Sequence, residues 1–172
     1  VLVYPAEALN AASANALLGA LRMLELGWYR HALVVGVELA NLTTLTGFSG
    51  LQLVADTIQP FAADRKGMVF GEGIGAVVLS THAGTTSRLR VVGGANNCDT
   101  HSVTPADPQG ASVAAVIADT LKWIKLQPEK VYGIKAHATA TPTGDIAEAM
   151  GMHPVFEQLP PVSALKPFIG HT

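Results

Sequence analysis

The sequence carries a single cysteine, Cys98, in 172 residues, which excludes an internal disulfide framework and any multi-cysteine zinc site. Aromatic residues make up only 6% of it and charged residues only 14%. Eleven Lys and Arg against thirteen Asp and Glu leave a net charge of −2, with no basic run, so nucleic acid is not an expected partner. Also missing is an uncharged apolar run of the roughly 18 residues a membrane span requires, so no membrane partner is expected. The opening VLVYPAEALNAASANALLGAL has no basic start and carries Glu7, which sets aside a secretory leader and makes a cytoplasmic location the expectation. No initiating Met is present, and the chain stops just after Gly170-His171, which reads as part of something longer. No internal repeat or low-complexity linker divides it.

What is there is apolar and small. Hydrophobic residues are 49% of the chain, and 26 alanines with 17 glycines supply a quarter of it. Such a composition excludes a disordered chain and predicts a core packed by close backbone approach. So little charge on so apolar a chain also implies that part of the surface is normally covered.

Residues 10–26 predict a buried helix with Asn10 as N-cap and Gly27 as its stop. HALVVGVEL (31–39) reads as a central strand, being apolar on both faces. In MVFGEGIGAVVLS (68–80), Gly71, Gly73 and Gly75 precede a strand. A dinucleotide fingerprint needs the strand first, so these glycines are expected to permit backbone approach or a bulge. LRVVGGANN (89–97) reads as a strand, 110–126 as an amphipathic helix, and VYGIKAHA (131–138) as a strand ending at His137. Residues 143–157 suit a helix with Thr143 and Asp145 as candidate caps, and PPVSALK (160–166) a short strand. The alternation predicts a layered α/β fold with buried strands.

Three positions at strand ends, where sites of α/β sheets collect, stand out: His137 in HATATPTGD, and Lys166 with His171 in KPFIGHT. Three threonines around a proline turn pack poorly but suit polar contacts to a ligand. His31, His82 and His153 lack any such context and read as ordinary surface or core histidines.

These segments, with SANALLGALRMLELG, ALVVGVE, GFSGL and PFAADRKGMVFGEGIGAVVL, resemble the β-ketoacyl synthases of fatty-acid and polyketide assembly. The resemblance runs over nearly the whole chain and implies a thiolase-like layered αβαβα architecture. Residues 1–172 would form a partial synthase domain, from the nucleophile helix to the second catalytic histidine, an incomplete piece of a longer synthase. GHT, rather than the GHP of degradative thiolases, points to the decarboxylating branch. The implied site is Cys-His-His with a supporting lysine, in which His137, His171 and Lys166 match the motif. Thr139 and Thr141 would contact the pantetheine arm, and Asp145 and Glu148 would support the site. The implied partners are acyl carrier protein and a second synthase subunit, identical or related. No cofactor is implied beyond the phosphopantetheine arm that carries the substrates.

The alignment places Asn10 at the position of the nucleophilic cysteine. A carboxamide cannot form a thioester, so condensation is expected to be disabled. Three accounts stay open: a replaced residue in an ordinary synthase, a malonyl decarboxylase-type variant, or a non-condensing chain-length-factor-like partner. Retention of His137, Lys166 and His171 argues against a purely structural partner. Cys98 lies in a loop and does not substitute, and a hydrolase built on Ser13 or Ser49 is disfavoured because GFSGL is not a nucleophile elbow. Other departures are Ala62 in place of a loop Asp, which predicts a lost hydrogen bond or ion pair. Ala138 and Ala140 stand where glycines are frequent, which predicts backbone strain, and Pro167 follows Lys166 in place of a small polar residue. Missing strands would leave unpaired edges and an aggregation hazard.

Overall fold

The computed structural model describes residues 12–82, 89–102 and 106–172; Asn10 lies outside them. The chain divides into two compact units, one of Val1–Val37 with Ile74–Gly94 and one of Glu38–Gly73 with Ala95–Thr172.

In the first unit, helix α1 (Ala12–Glu25) precedes strand β1 (His31–Glu38), which pairs with β2 (Gly73–Ser80) in a two-stranded sheet. Helix α1 ends as expected. Gly27 takes a left-handed φ of 72°, the Trp28 N–H reaches the Met23 carbonyl and the Gly27 N–H that of Leu24, closing a Schellman turn. Glycines here make room for neighbouring side chains. A Cβ on Gly36 would lie 3.2 Å from Ser13 Oγ, and one on Gly94 would lie 2.8 Å from the Leu18 side chain.

Three expectations for this region need correction. Of α1 only Leu24 is buried. Strand β1 is not central: among the described residues it pairs with β2 alone, and Leu33 (66% exposed), Val35 and Val37 face outward. Residues 89–97 form no strand; a β-run becomes one only beside a partner ladder, and Ala95 instead gives its N–H to the Thr120 hydroxyl.

In the second unit, α2 (Leu42–Gly50) is capped by Asn41, whose side chain accepts from the Thr43 and Thr44 N–H groups. Helices α3 (Ala111–Ile124) and α4 (Pro142–Met152) pack through glycine contacts. A Cβ on Gly110 would fall 2.3 Å from the Ala147 carbonyl, and one on Gly151 would fall 2.5 Å from Val113 Cβ. Leu121, Met152 and Phe156 form the core beside this seam, with Ile117, Val131, Ile134 and Val155 packed around them.

Strand β3 (Ile134–Lys135) pairs in parallel with β4 (Val162–Ser163), Ile134 opposite Val162 and Lys135 opposite Ser163. Because the pair is parallel, both chains leave from the same end, His137 two residues beyond β3 and Lys166 three beyond β4. Lys166 opens the short helix α5 (Lys166–Ile169), with Pro167 in its first turn, where a missing N–H costs nothing.

Helix α4 is shorter than expected and starts earlier, at Pro142, with Thr141 in the cap position. Neither Thr143 nor Asp145 caps it. Proline at N1 fixes φ for the helix start, which frees Asp145 for the contacts described below. Among the described residues no helix is long and apolar enough to cross a membrane.

Candidate active site

The second unit brings His137, Lys166 and His171 together. The two imidazole centroids are 5.6 Å apart with their planes at 89°. The Lys166 ammonium donates to the His137 carbonyl at 2.5 Å and lies 3.4 Å from His137 Nδ1.

Each residue is held by backbone geometry. The His171 N–H donates to the Val69 carbonyl at 2.7 Å, and the Gly71 N–H returns a bond to the His171 carbonyl at 3.0 Å, an isolated parallel bridge centred on Phe70. Glycine is required on both sides of this crossing. A Cβ on Gly71 would fall 2.0 Å from the Ile169 carbonyl, and one on Gly170 would fall 2.7 Å from the Gly71 nitrogen. The backbone approach expected of the 71–75 glycines is met at Gly71. The Phe70 ring sits between Phe48 of α2 and the His171 imidazole, with centroids 5.4 and 6.1 Å away.

The segment after β3 is held by two carboxylates on one face of α4, three residues apart. Glu148 accepts from the N–H groups of His137 (2.6 Å) and Ala138 (2.8 Å). Asp145 accepts from Ala140 (3.0 Å) and, across the unit's loops, from Phe61 (2.6 Å). Ala138 and Ala140 adopt left-handed φ values of 51° and 62°, so the strain their methyl groups predict is present. Both are fully buried.

Thr139 and Thr141 are buried too, their hydroxyls 2.9 Å apart and bonded to each other. Gly144 makes room for them, since a Cβ there would come within 2.4 Å of Thr141 Oγ1. Arg65 was invisible as a site residue in the sequence, where DRKG reads as a polar turn. Its guanidinium reaches the Ala62, Thr141 and Pro142 carbonyls and stands 3.6 Å from Asp145. Ala62, which stands in place of a loop Asp, takes part only through its carbonyl, which accepts from Arg65. Cys98 is exposed in its loop, its thiol 3.8 Å from the Asp99 carbonyl.

The electrostatics favour uncharged rings. His137 is open to solvent on one side, and packing on its other side, followed by the charges of Lys166 and Lys135, lowers its pKa to about 4. Burial, followed by the charges of Lys166 and His137, lowers that of His171 to about 4 as well. Burial and the Lys135 charge push Lys166 below its ordinary value, against the pull of Glu148 and Asp145. At neutral pH the cluster therefore offers two neutral rings, each with one N–H, beside a cation. That arrangement suits a negative charge developing on an oxygen. Among the described residues no group of three or more His, Cys, Asp or Glu could hold a metal ion.

Comparison with known proteins agrees in kind. The family model for the N-terminal domain of β-ketoacyl synthases matches residues 2–84, and that for the C-terminal domain matches residues 89–172. A 3-oxoacyl-[acyl-carrier-protein] synthase 2 from Synechocystis is 33% identical over 163 residues, 83% of this chain and 39% of that protein. A solved ketosynthase in complex with its chain length factor, from Xenorhabdus doucetiae, superposes with a TM-score of 0.89 at 25% identity, covering 95% of this chain and 40% of that one. A β-ketoacyl synthase from Burkholderia phymatum gives a TM-score of 0.83 at 27% identity, covering 94% and 42%. The chain spans about two fifths of the length of these relatives.

Proposed function

Because the chain belongs to the β-ketoacyl synthase family and has its thiolase-like α/β fold, we propose that it carries the decarboxylation half of that chemistry. The substrate is a malonyl group held as a thioester on acyl carrier protein. The observation that carries this reading is the meeting of the His137 and His171 rings with the Lys166 side chain.

When the malonyl C–C bond breaks, carbon dioxide leaves and its electron pair moves onto the α-carbon and the thioester oxygen. The N–H groups of His137 and His171 donate to that oxygen, and the stabilisation is large because the groups are already oriented and partly dry. An imidazolium would bind the malonyl carboxylate and retard its loss; a neutral ring does not. Lys166 fixes His137 through its carbonyl, and its charge adds to burial in keeping both rings unprotonated.

In a condensing synthase the carbanion attacks an acyl group on the cysteine and expels the thiolate. With Asn10 in that place there is no acyl thioester to attack. The carbanion then takes a proton, and the product is the acetyl thioester.

The test is incubation of the protein with malonyl-charged acyl carrier protein, reading carbon dioxide and the acetyl-carrier product by mass. Release that falls at least tenfold in His137→Ala and His171→Ala supports the reading. No release, with a gain of activity in a partner synthase on mixing, favours the chain-length-factor-like role. Asn10, together with a structural relative solved with its chain length factor, makes that the second reading, with a heterodimer as its consequence.

A further inference from the structure

We infer that Arg65 is a positioning residue for this site, acting through Asp145 to hold Ala140 in its left-handed conformation and so to aim the hydroxyls of Thr139 and Thr141. Asp145 is the pivot. One carboxylate oxygen accepts from Ala140 at 3.0 Å and the other from Phe61 at 2.6 Å, while its side chain is only 1% exposed. A carboxylate buried so deeply needs a cation beside it. Among the described residues the ion pair it makes is with Arg65, Nε to Oδ2 at 3.6 Å, the arginine side chain itself being 12% exposed.

The guanidinium also grips the segment from its other side. It donates from Nε to the Thr141 carbonyl at 3.2 Å and from Nη2 to that of Pro142 at 2.5 Å, while Nη1 donates to Ala62 in its own loop at 2.8 Å. The two charged residues thus lace the 61–65 loop to residues 140–142 in opposite directions, Asp145 taking N–H groups and Arg65 giving them to carbonyls. Ala140 at φ 62° lies between these attachments and would leave that conformation if they were cut, since an L-residue gains by doing so. A lysine offers a point charge without the planar fork and cannot span the same three carbonyls.

The function of the aimed threonines rests on the reading of this site as a malonyl-thioester site, so the test has two arms. The first is amide hydrogen exchange in the full chain, which needs no activity. Arg65→Gln is expected to speed exchange at Ala140 at least tenfold while leaving Leu121 in α3 unchanged, and Arg65→Lys to give an intermediate effect.

The second arm is decarboxylation of malonyl-charged carrier, with KM expected to rise more than kcat falls in the arginine variants. Unchanged exchange at Ala140 in Arg65→Lys, or exchange that rises equally at Leu121, overturns the inference. Should Arg65→Gln fail to fold, the lysine variant alone decides it. Should no variant, nor the parent, release carbon dioxide, the malonyl reading fails while the exchange arm still decides the role of Arg65.

Discussion

Lys166 sits where its charge is felt by both imidazoles, and that makes its removal informative. In Lys166→Met the charge that helps hold both rings unprotonated is gone, so the pKa of His137 and of His171 should rise from about 4 toward 6.5. Imidazole proton shifts followed through a pH titration would show it. The same rings couple folding to pH. Between about 6.5 and about 4 the unfolded chain binds a proton on each ring that the folded chain refuses. Their contribution to stability is therefore full above 6.5 and is lost as pH falls through that window, which urea midpoints measured from pH 7 to pH 4 would follow. His137 was legible in the sequence because it ends a β-run in a motif too polar to be packing, and Lys166 and His171 because KPFIGHT resembles the family's motif. Arg65 was not, because its meaning depends on Asp145, eighty residues away. Nor was the interior position of Thr139 and Thr141, which follows from the left-handed alanines around them.

At the scale of the element, glycines with different surroundings should behave oppositely. Gly71→Ala places a methyl 2.0 Å from the Ile169 carbonyl. It should cost about 2–4 kcal/mol and displace His171, visible as a changed imidazole shift. Gly47, in α2 with open space around it, should tolerate alanine and gain about 0.5–1 kcal/mol from helix propensity; denaturant midpoints would separate the two. Periodicity found α1, α3 and β2 in place. It missed α2, whose Thr43, Thr44 and Thr46 mask a helix that Asn41 starts. Strands β3 and β4 come out only two residues long, because pairing rather than apolar content sets how far a strand runs. For the same reason 89–97 has the composition of a strand and none of its ladder.

For the whole molecule, the amount of apolar surface left open is the dominant property. Leu33, Val35, Val37, Leu39 and Leu42 are all exposed, as are Ile74 and Val78 of β2, and the chain spans only about two fifths of its relatives' length. Expressed as these 172 residues, it should bind a hydrophobic dye and self-associate at micromolar concentration, which light scattering with and without added detergent would reveal. In the context of a complete synthase, Asn10→Cys should restore acyl transfer, read as one acyl group at residue 10 by intact mass after incubation with acyl-charged carrier.

The contact between residues 69–71 and 169–171 has a bearing on how this site could ever be altered. It is main chain against main chain, held by two backbone hydrogen bonds and a close approach at two glycines. Trimming Phe70 would change what packs against the His171 ring, whereas the backbone that carries the ring moves only if the two segments shift together. Libraries that diversify the side chains around the ring would therefore leave the backbone position of His171 as it is.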